Sequence, residues 1–391
     1  MEKTSKMERM NICFIGKTNV GKSTVINKLI GQEVSIVSEQ PGTTTDSVVK
    51  RYELIPVGPV SFFDTAGYDD TTDLGQKRMK ATSNAIFKSD LAVLVLDNHG
   101  LSEIDIIKIN ELHHGRIPFI ILWNKSDLAG VDKKTKEYCA KNNIIIVEFN
   151  ELKNELINRL QTLQQNNNFI VKDLIKKDDF IVLVMPMDSA APKGRIILPQ
   201  AMALREIIET GAIGLCCDVS ELPITLNSLM VAPALVVTDS QAIESVQRIV
   251  PENINLTTFS ILFARYKGEF GSFIKGIDFL RQLKPNDKVL IAETCSHNTT
   301  HEDIGKVKIP NLLSKYLSFT PMIDFVSGND FPEDLEKYKL VIHCGGCMLT
   351  RTEILRRIHE CERRNVAITN YGMVLSEISG CLERTVKLIR N

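Results

Sequence analysis

The sequence predicts an α/β protein in which an N-terminal domain is followed by two smaller α/β domains with mainly parallel sheets. Apolar runs typical of buried strands alternate with amphipathic stretches typical of helices along most of the chain. At 391 residues the chain is too long for one ordinary domain. The amide-rich segment 161–168 interrupts the pattern. We therefore predict domains at residues 1–163, 164–268 and 269–391.

Composition excludes several classes of protein. The chain is 43% hydrophobic and 24% charged, as expected of a soluble globular protein, and its net charge of −1 argues against a nucleic-acid partner. No apolar run approaches the roughly 20 residues that span a bilayer. The polar start, Met1–Ser5, predicts no signal peptide. We expect a cytoplasmic protein whose nine cysteines are thiols or metal ligands rather than disulfides.

The strand predicted at Met10–Ile15 runs into a phosphate-binding motif, G-x-x-x-x-G-K-S. Glycines let backbone N–H groups face phosphates, and the helix that follows adds its positive end. Lys22 is expected to reach the β- and γ-phosphates, and Ser23 to bind magnesium. The candidate phosphate-binding residues are Gly16, Lys17, Thr18, Asn19, Val20, Gly21, Lys22, Ser23 and Thr24.

Three further motifs follow the phosphate-binding loop along the chain. Asp64-Thr65-Ala66-Gly67 closes a strand and offers a carboxylate near magnesium and an N–H near the γ-phosphate. Asn124-Lys125-Ser126-Asp127 closes another, and its Asp127 carboxylate can accept two hydrogen bonds from guanine. The loop Gly42–Asp46 lies between the phosphate-binding loop and Asp64, and carries a candidate magnesium hydroxyl. The candidate base-binding residues are Asn124, Lys125 and Asp127.

These motifs resemble those of translation-factor-class GTPases, closest to the tRNA-modification and ribosome-assembly branch. The resemblance implies Thr44 as a magnesium ligand, with Thr43 as the alternative, and Asn19 as a potassium ligand that replaces an arginine finger. Tyr68 stands where Ras-type enzymes carry a water-positioning Gln, so we expect slow intrinsic hydrolysis. The potassium ion held by Asn19 is expected to stimulate it. In these GTPases a Ser-Ala turn that contacts guanine follows the last strand of the domain. This chain has Glu148-Phe149-Asn150 there instead. The candidate catalytic residues are Lys22, Thr44, Asp64 and Gly67.

The last domain contains a cluster of thiols and imidazoles. Cys295-Ser296-His297 follows one predicted strand, and His343-Cys344-Gly345-Gly346-Cys347 follows another. Carboxyl ends of parallel strands meet at one edge of a sheet, so the two pieces are expected to converge on zinc or an iron–sulfur cluster. The firm candidate ligands are Cys295, Cys344 and Cys347. His297 is the candidate fourth ligand, and His343 is a weaker one because neighbouring strand residues face opposite sides.

A GTPase domain followed by C-x-H and H-C-x-x-C resembles the FeFe-hydrogenase maturation GTPases, the HydF family. The similarity includes residues 185–194, 303–305 and 370–372. It implies GTP hydrolysis to GDP, a dimerising middle domain, a homodimer or higher homo-oligomer, and a 4Fe-4S cluster in the last domain. It also implies a scaffold that receives a transient di-iron precursor from two radical-SAM maturases and delivers it to apo FeFe-hydrogenase. The alternative is an RNA- or ribosome-assembly GTPase with a structural metal site.

Overall fold

The computed structural model describes nine ranges of the chain, which fold into two compact units spanning residues 1–167 and 168–391. The fold is α/β throughout, as predicted. For residues 73–78 and 80 the backbone alone is described. The described ranges are 9–31, 48–69, 73–164, 169–186, 196–294, 304–328, 331–332, 334–346 and 349–390.

The first unit is a six-stranded mixed sheet in the order β2-β3-β1-β4-β5-β6. The β2–β3 pair is antiparallel, and the other neighbours are parallel. Its strands are β1 (Met10–Ile15), β2 (Val48–Leu54), β3 (Gly58–Asp64), β4 (Leu91–Leu96), β5 (Phe119–Trp123) and β6 (Ile146–Glu148). Its helices are α1 (Lys22–Gly31), α2 (Asp73–Lys88), α3 (Glu103–His114), α4 (Lys133–Lys141) and α5 (Phe149–Gln164).

The strand β1 lies at the centre of this sheet, where the chain turns from one side of the sheet to the other. It pairs with β3 on one side and with β4 on the other. In open α/β sheets a ligand binds in the crevice outside the strand carboxyl ends at such a reversal. The β4 run LAVLVL is buried at every position, as expected of a strand covered by helices on both faces. The loop after β1 therefore lies at this crevice, at the carboxyl end of the central strand.

The second unit contains two four-stranded sheets that are parallel throughout, in the orders β10-β9-β7-β8 and β12-β11-β13-β14. Short 3-10 turns occur at Lys172–Leu174 and Leu335–Lys337, and a π-helix at Ile304–Lys308. The first sheet contains β7 (Phe180–Val184), β8 (Ile213–Cys217), β9 (Leu235–Thr238) and β10 (Asn255–Thr258). Its helices are α6 (Leu198–Thr210), α7 (Leu222–Ser228), α8 (Ile243–Ile249) and α9 (Phe259–Lys267).

The second sheet carries the strand ends that precede the predicted thiol cluster. Its strands are β11 (Lys288–Glu293), β12 (Met322–Ser327), β13 (Leu340–His343) and β14 (Ala367–Asn370). Its helices are α10 (Phe270–Arg281), α11 (Ile309–Leu317), α12 (Arg351–Arg363), α13 (Tyr371–Ile378) and α14 (Leu382–Arg390). The sequence pattern near 332–338 predicts a short helix, but the structure has only the 3-10 turn Leu335–Lys337 there.

The two sheets of the second unit exchange core residues. Ile261 and Ala264 of α9, which follows β10, are buried in the core around the β11–β14 sheet. In return, Cys381 is buried in the core of the β7–β10 sheet. The Arg384 guanidinium donates to the carbonyls of Val250 at 2.8 Å and Pro251 at 2.6 Å. These shared contacts explain why residues 168–391 form one compact unit.

Candidate functional site

The phosphate-binding loop joins β1 to α1 and depends on two glycines. Gly16 has φ +156° and Gly21 has φ +97°, backbone angles that residues other than glycine rarely adopt. A Cβ on Gly21 would lie 2.4 Å from the Asn124 amide nitrogen, and one on Gly16 would lie 2.6 Å from the Val95 carbonyl oxygen. The loop is therefore packed tightly against the ends of β4 and β5.

Lys22 lies buried at the start of α1, with its ammonium folded over the loop. Its Nζ donates to the carbonyls of Gly16 at 3.0 Å and Lys17 at 2.7 Å. These bonds use two of its three N–H donors. Burial lowers the pKa of Lys22, and the carboxylates of Asp64 and Asp69 oppose that effect. Ser23, the candidate magnesium ligand, is exposed at the start of the helix.

The end of β3 meets the phosphate-binding loop directly. Asp64 lies opposite Phe14 in the parallel β1–β3 ladder, and the Thr65 hydroxyl donates to the Phe14 carbonyl at 2.7 Å. A Cβ added to Gly67 would lie 2.2 Å from the Thr18 hydroxyl, so only glycine fits at this position. The sequence-predicted residues Asp64, Gly67 and Thr18 are thus brought together.

Asp69 is a contact residue that the sequence analysis missed. The Thr18 backbone N–H donates to Asp69 Oδ1 at 2.7 Å, and the Thr18 hydroxyl donates to the same oxygen at 2.8 Å. Burial acts to raise the pKa of Asp69, but these hydrogen bonds outweigh it and the pKa is lowered. Only its position two residues after Gly67 could have suggested it. The carboxylate ties the segment after β3 to the phosphate-binding loop.

A second link between these segments passes through Asp105 on α3, whose side chain is 0% exposed. The Tyr68 hydroxyl donates to Asp105 Oδ1, and the Lys17 ammonium lies 3.4 Å from Oδ2. The Ser102 N–H, at the helix start, also donates to Oδ2 at 2.8 Å. Burial, followed by the charge of Asp105, raises the pKa of Tyr68. Tyr68 is therefore buried, and its hydroxyl links the segment after Gly67 to α3.

The predicted base-binding motif also supports the loop. The Asn124 side-chain amide donates to the Val20 carbonyl at 2.8 Å, and the Lys125 ammonium donates to the Asn19 carbonyl at 3.2 Å. Asp127 is exposed at the end of β5. Asn19, the candidate potassium ligand, is exposed with φ +63°. The remaining candidates of the switch loop, Thr43 and Thr44, lie outside the described residues.

The thiol-bearing edge lies at the carboxyl ends of β11 and β13, which pair in parallel with Ala292 opposite His343. The Thr294 N–H donates to Cys344 Sγ at 3.3 Å, and the Thr294 hydroxyl lies 3.1 Å from the same sulfur. Thr294 directly precedes Cys295 in the chain. Cys295, His297 and Cys347 fall outside the described residues. Within the described ranges, no three His, Cys, Asp or Glu side chains form a metal-binding group.

His343 has both ring nitrogens bound to protein groups. Its Nε2 lies 3.1 Å from the Arg357 guanidinium, which can only donate. Its Nδ1 lies 2.6 Å from the Cys344 carbonyl, which can only accept. The Nδ1–H tautomer satisfies both contacts. Direct ligation of a metal by His343 would break one of them, while its present position orients the backbone of Cys344.

The described residues at this edge fit a cysteine-ligated cluster. Cys344 is half-buried. It accepts the Thr294 N–H, the type of outer contact that tunes thiolate-bound centres. By contrast, Cys361 and Cys381 are buried. Burial raises the pKa of Cys361 to about 12 and of Cys381 to about 11, which suits packing thiols and not ligands.

Comparison with known families gives a match for each unit. The sequence model of the 50S ribosome-binding GTPases matches residues 11–125. The fold and the loop geometry thus define a P-loop GTPase with two further α/β domains. The hydrogen maturase F dimerization domain matches residues 170–268, and the tetramerization domain of the same family matches residues 271–388, together more than half of the chain. The chain belongs to the hydrogen maturase F family.

Similarity to individual proteins is concentrated in the first unit. The chain is 38% identical to the GTPase Der of Clostridium botulinum over 135 residues, 33% of this chain and 30% of the relative. It is 35% identical to the tRNA modification GTPase MnmE of Clostridioides difficile over 180 residues, 45% of this chain and 38% of the relative. The chain thus spans between 30% and 38% of the length of these relatives.

Solved structures match at a lower level. Era from Aquifex aeolicus matches with 18% identity and a TM-score of 0.32, covering 56% of this chain and 97% of the Era chain. The G domain of the T. maritima FeoB iron transporter matches with 18% identity and a TM-score of 0.30, covering 39% of this chain and 98% of that domain. Scores this low support no argument about this chain.

None of the helices in the described ranges is both long enough and apolar enough to span a membrane.

Proposed function

We propose that this chain is a GTP-hydrolysing scaffold that holds a 4Fe-4S cluster and carries a di-iron precursor to apo FeFe-hydrogenase. One observation carries the proposal. A P-loop GTPase domain precedes two hydrogen maturase F domains in the same chain, and the second of these presents Cys344 at the carboxyl edge of a parallel sheet. We place the protein in the cytoplasm, where its thiols stay reduced.

In the proposed GTPase cycle, the phosphate-binding loop holds the nucleotide and its magnesium. Lys22 contacts the β- and γ-phosphates, Ser23 and Thr44 bind magnesium, and the Gly67 N–H binds the γ-phosphate. Asp127 selects guanine over adenine. Asn19 supports the proposal of potassium activation because it is exposed on the loop. Hydrolysis is slow without potassium because Tyr68 is buried against Asp105 and cannot orient the attacking water.

In the proposed cluster site, Cys295, Cys344 and Cys347 are the three thiolate ligands, and His297 is the candidate fourth. When bound, the cluster supplies an iron centre with one exchangeable position to which an iron fragment can attach. The chain's own residues hold the thiols in place. Thr294 donates to the Cys344 sulfur, and His343 fixes the Cys344 carbonyl. The di-iron precursor is cargo received from two radical-SAM maturases, and self-association is through the two matched oligomerization domains.

One anaerobic experiment tests the proposal. The purified chain is reconstituted with iron and sulfide, reduced, and examined by EPR. It is then loaded by the two maturases and mixed with apo-hydrogenase. We expect the signal of a reduced 4Fe-4S cluster and hydrogen production that depends on the chain. A triple Cys295→Ala, Cys344→Ala, Cys347→Ala variant is the control, and it should give neither.

The rival proposal is an RNA- or ribosome-assembly GTPase with a structural zinc. The match of the first unit to the 50S ribosome-binding GTPases is the observation that favours it. The net charge of −1 weighs against it, because RNA binding depends on a basic surface. A colourless, zinc-loaded chain that binds ribosomal RNA and leaves apo-hydrogenase inactive would support the rival and overturn the cluster scaffold.

A further inference from the structure

Lys267 is a buried cation at the base of the Cys344 loop. It is the last residue of α9 and is 3% exposed. Its ammonium donates to the Gly346 carbonyl at 3.1 Å and to the Leu349 carbonyl at 2.7 Å. It also lies 5.3 Å from the centre of the Phe263 ring. Burying an ammonium is costly unless polar groups surround it, so these contacts hold it in one place.

The two carbonyls that bind Lys267 come before and after residue 347 in the sequence. The loop is fixed further by backbone contacts. The Cys344 N–H donates to the Ala292 carbonyl at 2.9 Å, and the Leu349 N–H donates to the Gly346 carbonyl at 3.0 Å. Gly346 has φ +61°, and a Cβ there would lie 2.6 Å from the end of the Ile354 side chain. One ammonium therefore binds Gly346 and Leu349, the two described residues that flank positions 347 and 348 in the sequence.

The positive charge has a chemical consequence at this position. Thiolates and thiolate-bound iron clusters are anionic, and a nearby cation favours them and makes them easier to reduce. Lys267 belongs to the segment matched by the dimerization domain, whereas the loop belongs to the tetramerization domain. The loop is thus held by a residue from the neighbouring domain of the same unit.

We propose that Lys267 is a positioning residue for the cluster, which fixes the backbone at Gly346 and Leu349 next to Cys344 and stabilises the anionic centre by its charge. This inference rests on the proposed cluster function. Groups outside the ligand sphere typically change metal affinity by about 10–100-fold when they are removed. We expect Lys267→Met to fall in that range, because it removes both the anchor and the charge.

The test compares the full-length wild-type chain with Lys267→Met, Lys267→Arg and a control, Lys275→Met, which changes an exposed lysine on α10. Each protein is reconstituted anaerobically with iron and sulfide. The measurements are iron and sulfide per chain, the rate of cluster loss to a chelator, the EPR spectrum and the midpoint potential. We expect Lys267→Met to lose its cluster to the chelator at least about 10-fold faster and to have a more negative potential. Lys275→Met should match wild type.

Lys267→Arg separates charge from packing. It keeps the charge, so its potential should stay at the wild-type value even if fewer chains are loaded. A merely structural lysine would lower loading in both variants without moving the potential of the clusters that form. Circular dichroism checks folding, and if Lys267→Met is unfolded, the arginine variant and a Lys267→Gln variant are compared by the same measurements.

The outcomes distinguish the two proposals. A wild-type chain that takes up no cluster overturns the proposed cluster function, and this inference with it. A wild-type chain that loads normally, together with Lys267→Met that matches it in chelator resistance and potential, overturns only the role of Lys267.

Discussion

Removing the Asp105 carboxylate should strongly destabilise the first unit. Asp105→Ala deletes the acceptor of the Tyr68 hydroxyl and of the Ser102 N–H, together with the partner of the Lys17 ammonium. Each buried donor left without an acceptor costs about 1–3 kcal/mol. Because a charged partner is lost as well, we expect a total of about 3–5 kcal/mol, the range for breaking a buried pair.

Two other variants set the scale of this effect. Asp105→Asn keeps the shape and one oxygen, so only part of the hydrogen bonding is lost and we expect about 1–2 kcal/mol. Glu111→Ala changes an exposed residue of the same helix, whose carboxylate pairs with the Lys108 ammonium. Such a surface substitution should stay within about 0.5 kcal/mol of wild type.

The single tryptophan of the chain provides a selective assay. Trp123 is buried in β5 and its Nε1 donates to the Ala129 carbonyl at 2.9 Å, so its fluorescence reports unfolding of the first unit only. With a urea slope of about 2 kcal/mol per molar, a loss of 4 kcal/mol moves the midpoint by about 2 M. An Asp105→Ala midpoint within about 0.25 M of the Glu111→Ala midpoint would refute the reasoning.

Four further predictions follow from the two sites. GTP hydrolysis should be about tenfold faster in potassium than in sodium, equivalent to about 1.4 kcal/mol in the barrier, and Asn19→Ala should remove the difference; equal wild-type rates in both salts would contradict this. Lys22→Ala should lower kcat by about 100-fold or more while leaving the cluster EPR signal intact, since the two sites lie in separate units; loss of the signal would count against their independence. Burial raises the pKa of Cys361 to about 12 and of Cys381 to about 11, so the folded second unit keeps protons that the unfolded chain loses near pH 9. Its urea midpoint by circular dichroism should therefore fall as the pH rises from about 9 to 11, and less so in a Cys361→Ala variant; an identical fall in both proteins would exclude Cys361 as a cause. Finally, small ligands added to the reconstituted chain should change the cluster EPR spectrum, and a spectrum that never changes would argue that the fourth position is closed.

Local sequence patterns were sufficient to predict the α/β fold and the strands that precede the site motifs. Apolar runs locate β4 and β13, and the glycine-lysine motif predicts a tight turn into α1, where the structure has Gly16 and Gly21 at positive φ. The contacts of Asp105 and Lys267 could not be predicted. Each is a charged residue on a helix, and such residues usually face solvent. Asp105 instead contacts Tyr68, 37 residues away in the chain, and Lys267 contacts Gly346, 79 residues away.

The exchange of core residues in the second unit has an evolutionary consequence. Ile261 and Ala264 fill the core around one sheet from the segment of the other, and Cys381 does the reverse. Recombination that replaced only one of these segments with an unrelated one would leave both cores without their matching residues. The two segments should therefore be inherited together, and accepted substitutions on one side of residues 269–270 should be matched by compensating substitutions on the other.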